Sequence, residues 1–131
     1  MYFVDLPGYG FARVPKAVKE NWGAMIAGYL QHRAQLKLAL LLVDSRMPPT
    51  DADVMMKDWL DHHRIPNAVV LTKTDKISRN QLNQALLTGA RTLNTKEIVP
   101  FSAVTNSGKD EILKRILAAV DQIPQRGGTG R

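Results

Sequence analysis

Ala68-Val69-Val70-Leu71-Thr72-Lys73-Thr74-Asp75-Lys76 is the stretch that decides how this chain is built. Four consecutive apolar residues without alternation suit a strand buried on both faces, and they run directly into a polar loop. Leu38–Val43 and Ile98–Phe101 have the same character, and Tyr2-Phe3-Val4 begins a shorter run near Met1. Between the runs lie helical patterns. Val18, Trp22, Met25, Ile26 and Tyr29 recur at helical spacing after Pro15, which suits a first helical turn. Met55, Met56, Trp59 and Leu60 mark a second helix, expected to place Met55, Met56 and Trp59 in the core or on a packing face. Thr50-Asp51-Ala52-Asp53 opens it as an acidic variant of the capping box, and Pro48-Pro49 blocks an earlier start. Ser78-Arg79-Asn80-Gln81 opens a third helix with Leu82, Ala85, Leu86 and Leu93 inward. Ser107-Gly108-Lys109-Asp110 reads as the cap of a fourth, with Ile112, Ile116, Ala119, Val120 and Ile123 inward and Pro124 as its end.

Strand and helix therefore alternate, which implies an α/β fold: a mainly parallel sheet with helices on both faces. The 131 residues, 44% of them hydrophobic, suffice for one core and not two, so residues 1–123 are expected to form one domain. Residues 124–131, glycine-rich with Arg126 and Arg131, are expected to be a disordered basic tail. The absence of cysteine excludes disulfides and thiolate metal sites and fits a cytoplasmic setting. No apolar run approaches the roughly 20 residues that cross a bilayer, so no membrane partner is expected. The net charge of +6 favours polyanions, although ordinary solubility explains a charge of that size equally well. Adjacent His62 and His63 point about 100° apart on a helix, which disfavours a shared metal. A favourable position at the helix C-terminus is the simpler reading.

Ligands of an open α/β sheet collect beyond the carboxyl ends of its strands, and here those ends are polar. They carry Asp5 and Gly8, Asp44, Thr72-Lys73-Thr74-Asp75, and Ser102-Ala103. Asp5-Leu6-Pro7-Gly8 can hold a magnesium-bound water on its carboxylate and offer the Gly8 N–H to a terminal phosphate. A plain type II turn centred on Pro7 and Gly8 is the alternative. A rigid Asp75 carboxylate can accept from the N1–H and 2-amino groups of guanine, whereas adenine would leave it unpaired, a penalty on the order of 10⁴-fold. Lys73 can lay its stem along the base, and Ser102 and Ala103 can present backbone N–H groups to guanine O6. Taken alone, Thr72–Asp75 could be a helix-initiating polar loop, the less favoured reading.

D-x-x-G, then T-K-x-D, then S-A, each at a strand end, resembles the third to fifth motifs of translation-factor-related GTPases. Asp5 to Ala12, the Trp22 helix, Val43-Asp44-Ser45-Arg46 before Pro48-Pro49, Met55-Met56, Trp59-Leu60 and Thr72 to Lys76 resemble the bacterial EngB (YihA/YsxC) family over nearly the whole chain. The resemblance implies an incomplete P-loop GTPase fold, lacking the first two strands and first helix. It implies GTP or GDP with Mg²⁺ as ligands, GTP hydrolysis, and assistance to assembly of the large ribosomal subunit, with a link to cell division and septation. Asp5, Pro7 and Gly8 would then serve magnesium and γ-phosphate, and Thr72, Lys73, Asp75, Ser102 and Ala103 would hold guanine. No catalytic residue is assigned, because Tyr9 stands where Ras-like GTPases carry a water-orienting glutamine.

The 131 residues contain no G-x-x-x-x-G-K-[ST] run. Without its phosphate contacts, at about 1.5 to 3 kcal/mol each, the chain by itself is expected to bind and hydrolyse GTP poorly. A missing central strand would lead to closure of the gap, self-association through the incomplete sheet, or a poorly ordered N-terminal segment. A non-catalytic RNA- or ribosome-binding module and an inert fragment are the rival readings.

Overall fold

A computed structural model describes residues 36–129, with Ala24 and Gly28 in helical conformation, and for residues 122–129 the backbone path alone. The first strand, the Trp22 helix, and the candidate residues Asp5, Pro7 and Gly8 lie outside the described residues.

Three parallel strands, β1 (Ala39–Asp44), β2 (Asn67–Thr72) and β3 (Ile98–Pro100), pair in chain order. Helix α1 (Asp51–His62) connects β1 to β2, α2 (Arg79–Thr92) connects β2 to β3, and α3 (Lys109–Thr129) follows β3. Right-handed crossovers that step the same way along a sheet place α1 and α2 on one face. Both faces are nevertheless covered at the centre. Successive side chains of β2 point to opposite sides, yet Ala68, Val69, Val70 and Leu71 are all at most 2% exposed. The β2 run therefore has the two-sided burial expected of it, whereas β1 does not: Leu41 and Val43 are buried but Leu42 is 61% exposed. β1 ends the described strand order, so one of its faces has less cover.

Local chemistry explains the helix starts. The Thr50 hydroxyl accepts from the Asp53 N–H at 3.1 Å, and the Asp53 carboxylate accepts from the Thr50 N–H at 2.8 Å. Ser78 and Gln81 repeat this reciprocal box on α2, with distances of 3.2 and 2.8 Å. On α1 the inward residues are Asp53, Lys57 and Leu60, not the methionines, and Met55 is 71% exposed. Methionine spacing misled here because Lys57 can bury its stem while its ammonium reaches Asp61 at 2.8 Å. At the end of α1 the Trp59 and His63 rings stack at 4.2 Å. Gly89 brings α2 close to β3, since a Cβ there would stand 2.8 Å from Ile98 Cδ1.

Two helix-end expectations change. The residue before α3 is Gly108, not Ser107, and the Gly108 carbonyl accepts from the Ile112 N–H at 3.2 Å. Helix α3 also continues through Pro124 to Thr129, so six residues assigned to a disordered tail are helical. Proline removes one N–H from an established helix but holds a helical φ, so propagation past it is not forbidden.

Candidate functional site

The parallel register sets the site. Asp44 is the partner of Thr72, and Leu71 of Pro100, so the strands end at one level and their loops emerge side by side. Backbone bonds then hold loop to loop. The Ser45 N–H donates to the Thr72 carbonyl at 3.0 Å, the Phe101 N–H to Leu71 at 2.8 Å, and the Thr74 N–H to Phe101 at 3.3 Å. Lys73 turns the chain with φ 60° and ψ 35°, a left-handed conformation that costs a residue with a Cβ on the order of 1 kcal/mol or more. A 3₁₀ turn, Thr74–Lys76, follows and raises Asp75 beside the loop after β3.

Ser102 is the hub of that neighbouring loop and is fully buried. Its hydroxyl accepts from the Val104 and Thr105 N–H groups at 3.2 and 3.1 Å and donates to Asp75 Oδ1 at 2.7 Å. A hydroxyl has one proton and two lone pairs, so this one is saturated and its proton is directed at Asp75. Asp75 itself is exposed. One carboxylate oxygen is anchored, and the other accepts from no group among the described residues. Such a carboxylate is oriented but still open to a ligand with two adjacent donors.

Two expected donors prove different. The Ser102 N–H is already taken up by the Ser107 carbonyl at 3.0 Å, and the Asn106 N–H returns to the Ser102 carbonyl at 2.8 Å. Ala103 is exposed, and its N–H has no acceptor among the described residues. The Thr72 hydroxyl donates across the sheet to the Val43 carbonyl at 3.3 Å and so ties β1 to β2. Gly108 closes the loop from below. Its φ is +86°, and a Cβ would fall 1.9 Å from the Pro100 carbonyl oxygen.

Asp44 was legible as a strand-end carboxylate, but its partners were not. Arg46 Nη2 meets Oδ2 at 2.7 Å, while Arg46 Nε and N–H meet Oδ1 at 3.0 and 2.9 Å. The Lys73 ammonium lies 3.4 Å from Oδ2 as well. The Arg46 guanidinium hydrogen bond, against the opposing effect of burial, holds the Asp44 carboxyl far below the usual carboxylate range. Among the described residues no group of three or more His, Cys, Asp or Glu gathers to hold a metal ion.

The parallel sheet and its connecting helices, together with the solved structures they match, make this a partial P-loop GTPase fold. In solved structures, a crystal structure of a probable GTP-binding protein EngB matches 90% of this chain and 75% of its own, with a TM-score of 0.75 at 23% identity. Apo translation elongation factor SelB from Methanococcus maripaludis matches 65% of this chain and 20% of its own, with a TM-score of 0.59 at 27% identity. In sequence, the probable GTP-binding protein EngB of Anoxybacillus flavithermus is 51% identical over 113 residues, 84% of this chain and 58% of the relative. That of Levilactobacillus brevis is 46% identical over 115 residues, 86% of this chain and 58% of the relative. The chain belongs to the EngB family. It spans somewhat over half the length of these curated relatives. No family model matches the chain.

Proposed function

We propose that this chain carries the base-reading half of a guanine-nucleotide site in a GTP-binding, GTP-hydrolysing protein. The observation that supports the reading best is the Ser102–Asp75 hydrogen bond at 2.7 Å, which fixes a carboxylate at the edge of an open loop. Asp75 would accept from guanine N1–H and the 2-amino group, Ala103 N–H would donate to O6, and the Lys73 stem would lie along the base. Toward the phosphates, Asp5, Pro7 and Gly8 complete the proposal, with Asp5 holding magnesium through water. Magnesium, when bound there, would offset phosphate charge.

Titration of the 131-residue chain with GDP, ADP and XDP, followed by amide NMR up to millimolar ligand, tests the reading. GDP should shift signals of Lys73, Asp75 and Ala103 at concentrations where ADP does not. D75N should reverse the order in favour of XDP, because xanthine presents a carbonyl where guanine presents its amino group and an amide can donate to it. Equal responses to GDP and ADP would sink the proposal.

The setting proposed with it is assembly of the large ribosomal subunit, which the resemblance to the EngB family implies, and the net charge of +6 suits rRNA as a polyanionic partner. The link to division and septation and a cytoplasmic location belong to the same proposal. Among the described residues no helix is long and apolar enough to cross a membrane. Association with large subunits should fall steeply with salt and depend on the nucleotide supplied. Salt dependence without any nucleotide effect would favour a plain RNA-binding module instead.

A further inference from the structure

Lys73 occupies the middle of the candidate base site, yet nothing in its own loop fixes its long side chain. Its side chain is more than half exposed, and four rotatable bonds would let the stem sweep a wide arc. The group that limits it comes from the neighbouring strand. Asp44 ends β1 level with Thr72, one residue before Lys73, and its Oδ2 lies 3.4 Å from Lys73 Nζ. Asp44 is itself immobilised, with both carboxylate oxygens engaged by the Arg46 fork and Oδ1 also by the Arg46 N–H. An Arg–carboxylate fork has a defined plane, so the remaining direction of approach to Oδ2 is defined as well.

We propose that Asp44, clamped by Arg46, is the positioning residue that holds the Lys73 stem ready for the guanine face. This rests on the base-site reading above. Asp44 reads no base atom in this arrangement; it reduces the side-chain freedom that Lys73 would otherwise lose on binding. Selectivity and positioning then reside in different strands. Asp75 distinguishes guanine from adenine, and the Asp44–Arg46 pair raises affinity for the selected base without changing the choice.

The test is a double-mutant cycle on GDP affinity in the full 131-residue chain, using D44N, K73M and the double variant, with ADP alongside. If Asp44 acts through Lys73, each single change should weaken GDP several-fold to about tenfold, and the double variant should be no weaker than K73M alone. The GDP-to-ADP ratio should survive D44N and collapse only in D75N. A second readout needs no nucleotide: the ¹⁵Nζ signal of Lys73 should report a hindered ammonium in the unsubstituted chain and a freely rotating one in D44N. Should D44N fail to fold, R46Q frees the carboxylate while leaving its charge and carries the same cycle.

Multiplicative losses in the double variant, an unchanged GDP affinity in D44N, or a freely rotating Lys73 ammonium in the unsubstituted chain would each overturn the positioning role while leaving the guanine reading intact. Absence of any GDP preference in the unsubstituted chain is the distinct result that removes the reading and this role together.

Discussion

Ser102 Oγ and Asp75 Oδ1 lie 2.7 Å apart, joining two loops 27 residues apart in sequence through a buried hydroxyl and an exposed carboxylate. The bond makes the orientation of Asp75 a property of the loop after β3. Ser102→Ala removes that donor and leaves the Val104 and Thr105 N–H groups without their acceptor. A loss of about 1 to 3 kcal/mol in stability is expected for the uncompensated groups, read as a lower urea midpoint. GDP-induced shifts at Asp75 should weaken in the same variant, while Ser102→Thr should retain part of both.

Gly108→Ala should be more damaging than its single methyl suggests. The φ of +86° disfavours any L side chain, and the added carbon would overlap the Pro100 carbonyl 1.9 Å away, an atom of β3 that cannot rotate aside. A destabilisation of about 2 to 4 kcal/mol is expected by chemical denaturation. A loss below half a kilocalorie would show that the loop after β3 can shift freely.

The two capping boxes offer a paired comparison. Thr50→Ala and Ser78→Ala each remove the side-chain acceptor for an N3 amide, at Asp53 and Gln81 respectively. Each should cost about 1 kcal/mol, and amide exchange should speed selectively in the first turn of α1 or of α2. Faster exchange across the whole sheet in either variant would contradict a local role.

Acid should unfold the chain partly through Asp44 and Asp61. For Asp61, burial raises its pKa, but hydrogen bonds from Asn67 and Lys57 and the nearby Lys57 charge outweigh it and leave the group lowered. A carboxyl whose folded pKa lies below its unfolded value binds fewer protons when folded. It therefore stabilises fully above about pH 4, and that contribution is lost as pH falls further. The urea midpoint should be flat with respect to these groups near neutrality and decline below about pH 4. In Asp61→Asn the decline should be shallower, and an identical slope would remove Asp61 from this explanation.

Much of the architecture was legible because its signals are local. The Ala68 to Leu71 run, the Thr50 and Ser78 boxes, and the order of strands and helices each depend on residues within a few positions of one another. Reading Met55 as inward failed because helical spacing tells which residues share a face and not which face meets the sheet. Ending α3 at Pro124 failed because a proline signal is a propensity, and an established helix can continue past it. The candidate site was legible as residue types at strand ends, but the roles of individual atoms were not. Ser102 looked like a backbone donor, and its side chain turned out to carry the structural work.

By itself the sequence determined the alternation of strands and capped helices and the polar strand ends, since these follow from short-range periodicity and capping chemistry, and its motifs carried the resemblance to the EngB family. Only the tertiary structure decided that Asp44 reaches Lys73, that Thr72 bonds to Val43, and that Ser102 anchors Asp75. Those pairings depend on the parallel register that brings three strand ends to one level. Register is settled by burial and backbone hydrogen bonding across the whole sheet, so no local stretch of residues encodes it.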